Sequence, residues 1–168
     1  MRKTILTLLK RQTGFTLVEL IAVMGIITIL SVFVAVSLVK EQNLTSVNAT
    51  VDTVVSVMAS QQTKAMASKS EGLTNGQSFG IYFQTDRYTL FKGTTYSASD
   101  SANFTTVLDG GIRFTNITFP NSTIVFLVLS GEVNGFLAGS NTIAIQNISG
   151  PEIKTITVNK YGVVTNIN

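Results

Sequence analysis

Glu19 is the one charged side chain in a run of 25 residues from Phe15 to Val39, FTLVELIAVMGIITILSVFVAVSLV. A carboxylate at the centre of a membrane helix costs about 2.5 to 3.5 kcal/mol on insertion scales, so one that persists implies a partner. The rest of the chain offers little other chemistry. Its 168 residues contain no Cys and no His, which excludes a disulfide framework, a thiolate metal site, an ordinary zinc site and a His-dependent triad. General acid-base work would fall on nine scattered carboxylates, eight lysines and four tyrosines. The composition therefore argues against an enzyme, and it calls for no cofactor.

The formal net charge is +3, but Arg2, Lys3, Lys10 and Arg11 all precede Gly14. Beyond them, eight basic side chains face nine acidic ones, leaving the body at −1. No basic stripe with interleaved aromatics occurs there, so nucleic acid is not an expected partner of the body. Hydrophobic residues make up 45% of the chain and charged residues 12%, a balance that fits a membrane segment joined to one lightly charged domain.

The elements that must position Glu19 come next. At about 1.5 Å per residue, residues 15–39 exceed the ~30 Å hydrocarbon core. The basic residues ahead of them hold the N-terminus in the cytoplasm and put the C-terminal body outside. A cleaved secretory signal ending at Ala35-Val36-Ser37 is disfavoured, because the apolar run is too long and contains Glu19. A plain uncleaved anchor would merely tolerate the carboxylate near the interface. The helix is expected to continue past the membrane, because no Gly or Pro occurs between Lys40 and Gly72. Leu44, Val47, Val51, Val54 and Met58 recur at steps of three and four, and Ala65 rejoins their phase. Residues 15 to about 71 then form one helix of roughly 85 Å, apolar in its first half and amphipathic in its second.

Gly14-Phe15-Thr16-Leu17-Val18-Glu19-Leu20, with a short basic leader before it and an apolar helix after it, resembles the class III signal of type IV pilins and type II secretion pseudopilins. The resemblance implies that a prepilin peptidase removes residues 1–14, cutting between Gly14 and Phe15, and methylates the new Phe15 amine. It also implies assembly through Glu19, the fifth residue of the processed chain, paired with the N-terminal amine of a neighbouring subunit. The implied partners are the peptidase, other pilins or pseudopilins in a homo- or hetero-oligomeric filament, and an inner-membrane assembly platform with its ATPase. The subunit would sit in the cytoplasmic membrane by a single span before joining an extracellular or periplasmic filament.

After Gly72-Leu73-Thr74-Asn75-Gly76 the pattern becomes alternating, and residues 72–168 read as a β-rich domain. Strands are expected at 78–84, 87–92, 112–119, 123–130, 142–147, 154–159 and 163–167, with a hairpin at Thr85-Asp86 and a polar loop at 93–103. Turns are expected at Gly110-Gly111, Pro120-Asn121, Ser149-Gly150-Pro151 and Tyr161-Gly162. TIVFLVLS, 123–130, is apolar on both faces and reads as a central strand. The expected fold is α+β and pilin-like: residues 15–39 as the transmembrane half of a long helix, 40–71 as its amphipathic half, and an antiparallel sheet packed on it. SFGIYF, FLVLSGEVNG and the closing ITVNKYGVV resemble the GspH/FimT group of minor pseudopilins and pilins, although the helix lacks that superfamily's common proline, with Val36 in the region. The resemblance leaves open a major pilin of an adhesion, motility or DNA-uptake apparatus, and the topology alone also suits a membrane-anchored binding module.

Other features point to no site. Asp86, Asp100, Asp109 and Glu132 form no calcium ladder, so no metal is expected. Gly131 to Gly139 lacks the lysine and helix of a phosphate loop and reads as a flexible connection. Six N-x-S/T sequons, at Asn43, Asn48, Asn103, Asn116, Asn121 and Asn147, are accounted for mostly by composition. Of these, Asn103 in the polar loop is expected to be a better acceptor than Asn116 within a strand.

Overall fold

The computed structural model describes residues 14–68 and 76–168, excepting the side chains of residues 36 and 38–44. The connection at 72–75 and the side chain of Leu44 lie outside this description. Helix α1 is Leu17–Ala67, 51 residues long. The chain divides into two compact units, 1–39 and 40–168, each taken by itself below.

In the first unit, Leu17–Ala35 is apolar over 19 residues and entirely unburied, long enough to cross a membrane. Its two hydroxyls are satisfied within the helix. Thr28 Oγ1 donates to the Met24 carbonyl and Ser31 Oγ to the Ile27 carbonyl, both at 2.8 Å. Such i−4 bonding hides a hydroxyl from hydrocarbon without any second chain.

In the second unit the amphipathic stripe is observed. Val47, Val51, Val54, Met58 and Ala65 are all buried. Burial of the three valines and the methionine is worth on the order of 8 kcal/mol, an upper estimate relative to an extended chain. The seven-residue gap between Met58 and Ala65 is filled by Gln61, a polar side chain that is only 2% exposed.

The β-layer is two four-stranded antiparallel sheets where one was expected. The first has the order β3-β2-β1-β5, from β1 (Phe79–Phe83), β2 (Arg87–Lys92), β3 (Phe104–Val107) and β5 (Thr123–Phe126). The second has the order β4-β6-β7-β8, from β4 (Ile112–Thr115), β6 (Thr142–Asn147), β7 (Ile153–Val158) and β8 (Val164–Ile167). Alternation fixes side-chain faces but not partners, so the division into two sheets was not readable from it. Phe83 and Tyr88 of the first sheet meet Phe114 of the second at centroid distances of 5.3 and 6.4 Å, and Phe119 lies 6.1 Å from Phe83. The helix stripe and both sheets thereby share one core.

Three local expectations are corrected. First, β5 is at the sheet edge and ends at Phe126, although Ile124, Val125 and Phe126 are all buried. Its outer edge is covered by the chain's own return: Phe126 bridges Val133, Leu127 N–H donates to Glu132 O, and Asn134 N–H donates to Val125 O. Second, the connection expected from Gly131 to Gly139 is anchored to α1 at its start. Leu129 N–H donates to Ala65 O near the end of α1, and Gly131, at φ +67, packs so closely on Met66 and Gln62 that a Cβ has no room. Third, the strand expected at 112–119 stops at Thr115, because Asn116 takes φ +46, while β3 forms just past the expected 93–103 loop, where no strand was expected.

The 93–103 loop folds back over the outer face of the first sheet. Tyr96 stacks on Tyr82 at 4.2 Å and meets Phe91 edge-on at 5.6 Å. Phe91 lies flat across Gly80, where a Cβ would overlap its ring.

Candidate processing and assembly site

Gly14, Phe15 and Thr16 precede the first helical residue and have non-helical backbone. A protease must engage its substrate as an open backbone, and the Gly14-Phe15 bond offers one: Gly14 has nothing within 4 Å of the position a Cβ would take, and Phe15 is 81% exposed. The basic leader residues Arg2, Lys3, Lys10 and Arg11 lie outside the described residues.

The helix start two residues later is set by Thr16. Its Oγ1 accepts from Glu19 N–H at 3.2 Å, and its carbonyl accepts from Leu20 N–H at 3.1 Å. Thr16 is thus the N-cap and Glu19 the third helical residue, the T-x-x-E spacing of a capping box. Thr16 was not singled out from sequence, although this spacing was there to be read. At that position the Glu19 carboxylate lies beside the positive end of the helix dipole, which favours it by roughly 0.3–1 kcal/mol at an exposed site.

Gly14, Phe15 and Glu19 therefore fall within six consecutive residues, Glu19 in the first turn of α1 and Gly14 and Phe15 just ahead of it. With the hydroxyls of Thr28 and Ser31 bonded internally, Glu19 is the one polar side chain of Leu17–Ala35 with no side-chain partner among the described residues. A cut after Gly14 creates an amine on Phe15, one residue before the cap.

The described residues of the β-rich unit bring no reactive cluster together. Among the described residues no three His, Cys, Asp or Glu side chains gather where a metal ion could sit. The single ion pair among them is Arg87 on Asp86, at 2.8 Å, within the β1–β2 turn. Its hydrogen bond from the Arg87 side chain holds the Asp86 carboxyl below the usual carboxylate range. The order of the two sequons is reversed. Asn103 is half-buried, with Nδ2 donating to Ser97 O at 2.7 Å, whereas Asn116 is exposed in a turn.

Residues 9–35 match the family model for the prokaryotic N-terminal methylation motif. No curated protein and no solved structure matches the chain. The matched segment holds the exposed Gly14-Phe15 bond, the Thr16 cap, Glu19 and the whole apolar span, and this signature supports a place in the type IV pilin and pseudopilin superfamily.

Proposed function

We propose that the chain is a minor pseudopilin or minor pilin of the GspH/FimT kind, a structural subunit that initiates or caps a type II secretion or type IV pilus-like filament. Residues 1–14 are its leader, removed by a prepilin peptidase that methylates Phe15. Residues 15–39 anchor it in the cytoplasmic membrane, 40–71 carry the amphipathic half of the helix, and 72–168 form the domain displayed outside. Glu19 pairs with the Phe15 amine of a neighbouring subunit, and the assembly platform's ATPase supplies the energy.

One observation carries this reading: among the described residues, the apolar span satisfies both of its hydroxyls and leaves Glu19 alone without a side-chain partner. An anchor selected only for insertion has no use for such a group, whereas a subunit that must find one register has. A processed N-terminus starting at methylated Phe15, detected by mass spectrometry of the membrane-extracted protein, is the expected result. An intact Met1 would return the chain to the membrane-anchored binding module. Glu19→Ala is expected to insert normally and to drop out of sheared filaments, and undiminished incorporation would remove the pairing. Abundance relative to co-assembled pilins separates the minor subunit from a major pilin of an adhesion, motility or DNA-uptake system.

A further inference from the structure

The two edges of the first sheet are treated differently. β5 is covered by the chain's own return through Val133, but among the described residues β3 pairs only with β2 and ends the sheet. Leu108 N–H donates to Asp86 O, and antiparallel alternation then makes Tyr88–Thr106 and Leu90–Phe104 the hydrogen-bonded pairs. The N–H and C=O groups of Thr105 and Val107 consequently point away from the sheet. Natural edges are usually blunted by Lys, Pro, a bulge or a covering segment. FTTV has no such device among the described residues, and Phe104 and Val107 are 65% and 61% exposed.

Beside this edge runs a hollow of about 290 Å³ between α1 and the sheet, lined by Gln61, Lys64, Phe79, Leu90, Lys92 and Phe104. Phe79, Leu90 and Phe104 give it apolar walls. Gln61 is 98% buried by its 2% exposure, yet its carboxamide has no hydrogen-bond partner among the described residues. Lys64 and Lys92 are exposed and take part in no ion pair there, although Asp100 lines the neighbouring hollow with Lys92. The carboxamide is not among the buried polar atoms sealed from solvent, so at the wall of this open groove it is available to an incoming polar group.

We infer that the β3 edge and this groove receive an extended segment of a partner polypeptide, added as a fifth strand, with an apolar side chain among Phe79, Leu90 and Phe104 and a carboxylate at Lys64 and Lys92. The strand supplies the bonds that Thr105 and Val107 lack, and the Gln61 carboxamide at the groove wall gains a polar partner. A second copy of this chain fits less well, because its own β3 brings no acidic residue between Phe104 and Val107. The inference stands on residues 61–107 and is independent of the filament reading.

The test uses the full chain in detergent micelles, ¹⁵N-labelled, titrated with acetyl-Thr-Val-Thr-Val-Glu amide and with its Gln-terminated analogue. The Glu peptide is expected to slow hydrogen exchange at the Thr105 and Val107 amides and to shift the Gln61 side-chain amide. The Gln analogue should bind roughly fivefold more weakly, and Lys64→Gln with Lys92→Gln should erase that difference. No response at β3 to millimolar Glu peptide would overturn the proposal, as would equal binding of the two peptides. Protection of Thr105 and Val107 that appears without peptide and fades on dilution would assign the edge to a second copy instead.

Discussion

Gly162→Ala is the most demanding test of how the helix is joined to the sheets. Gly162 sits at φ +75 in the β7–β8 turn, and an alanine held in that region costs about 1–2 kcal/mol from backbone conformation alone. Its Cβ would lie 2.5 Å from Gln62 Nε2, 2.9 Å from Phe126 Cε1 and 3.0 Å from the Gly131 carbonyl oxygen. Only the carboxamide can give way. When it does, Gln62 Nε2 loses its bonds to Gly131 O at 2.9 Å and Tyr161 O at 2.6 Å, about 1 kcal/mol each. The total is about 3–4 kcal/mol, a large share of an ordinary domain's 5–15 kcal/mol. Gly135→Ala is the control: its φ is +62, but nothing lies within 4 Å, so only the conformational cost applies. Urea unfolding of the full chain in detergent, followed by near-ultraviolet circular dichroism of its tyrosines, should separate the two variants by about 2 kcal/mol. Adding Gln62→Ala should shrink the Gly162 effect by at least about 1 kcal/mol. If Gly162→Ala proves no worse than Gly135→Ala, the packing argument is wrong.

Thr16→Ala should cost about 1 kcal/mol at the helix start, seen as faster hydrogen exchange at the Glu19 and Leu20 amides with the rest of the span unchanged. Tyr96→Ala should release the 93–103 loop and cost about 1–2 kcal/mol, with exchange rising at loop amides first. Asp86 has a folded-state pKa depressed by its bond from Arg87, so whatever stability the pair contributes is present above the unfolded carboxylate range and lost as pH falls through the folded value. In Arg87→Gln the carboxyl titration of Asp86, followed by NMR, should move upward; an unmoved titration would deny the coupling.

The legible parts of this fold are those where one residue's side chain decides the matter. β1, β2, β6 and β7 were readable because their apolar residues alternate between turns, and the stripe from Val47 to Ala65 because it keeps a helical step. β3 was not readable: Phe104-Thr105-Thr106-Val107 is largely exposed, and it is a strand because β2 lies beside it. β5 misled for the opposite reason. Its Val125 is buried and its outer edge is closed by the bond from Asn134 N–H, so being apolar on both faces marked a covered edge where a central position was expected. At the candidate site, Gly14, Phe15 and Glu19 are contiguous enough for sequence to carry nearly everything. What it obscured was Thr16, whose role depends on where the helix begins.

Gln62 also sets an order of events. It bonds the carbonyls of Gly131 and Tyr161, which lie 69 and 99 residues farther along the chain. Contacts of such separation form late, after the intervening loops have closed. A chain delivered N-terminus first therefore presents the Val47–Ala65 stripe unsealed until the β7–β8 hairpin arrives, making completion of the last hairpin the step that locks the helix in place.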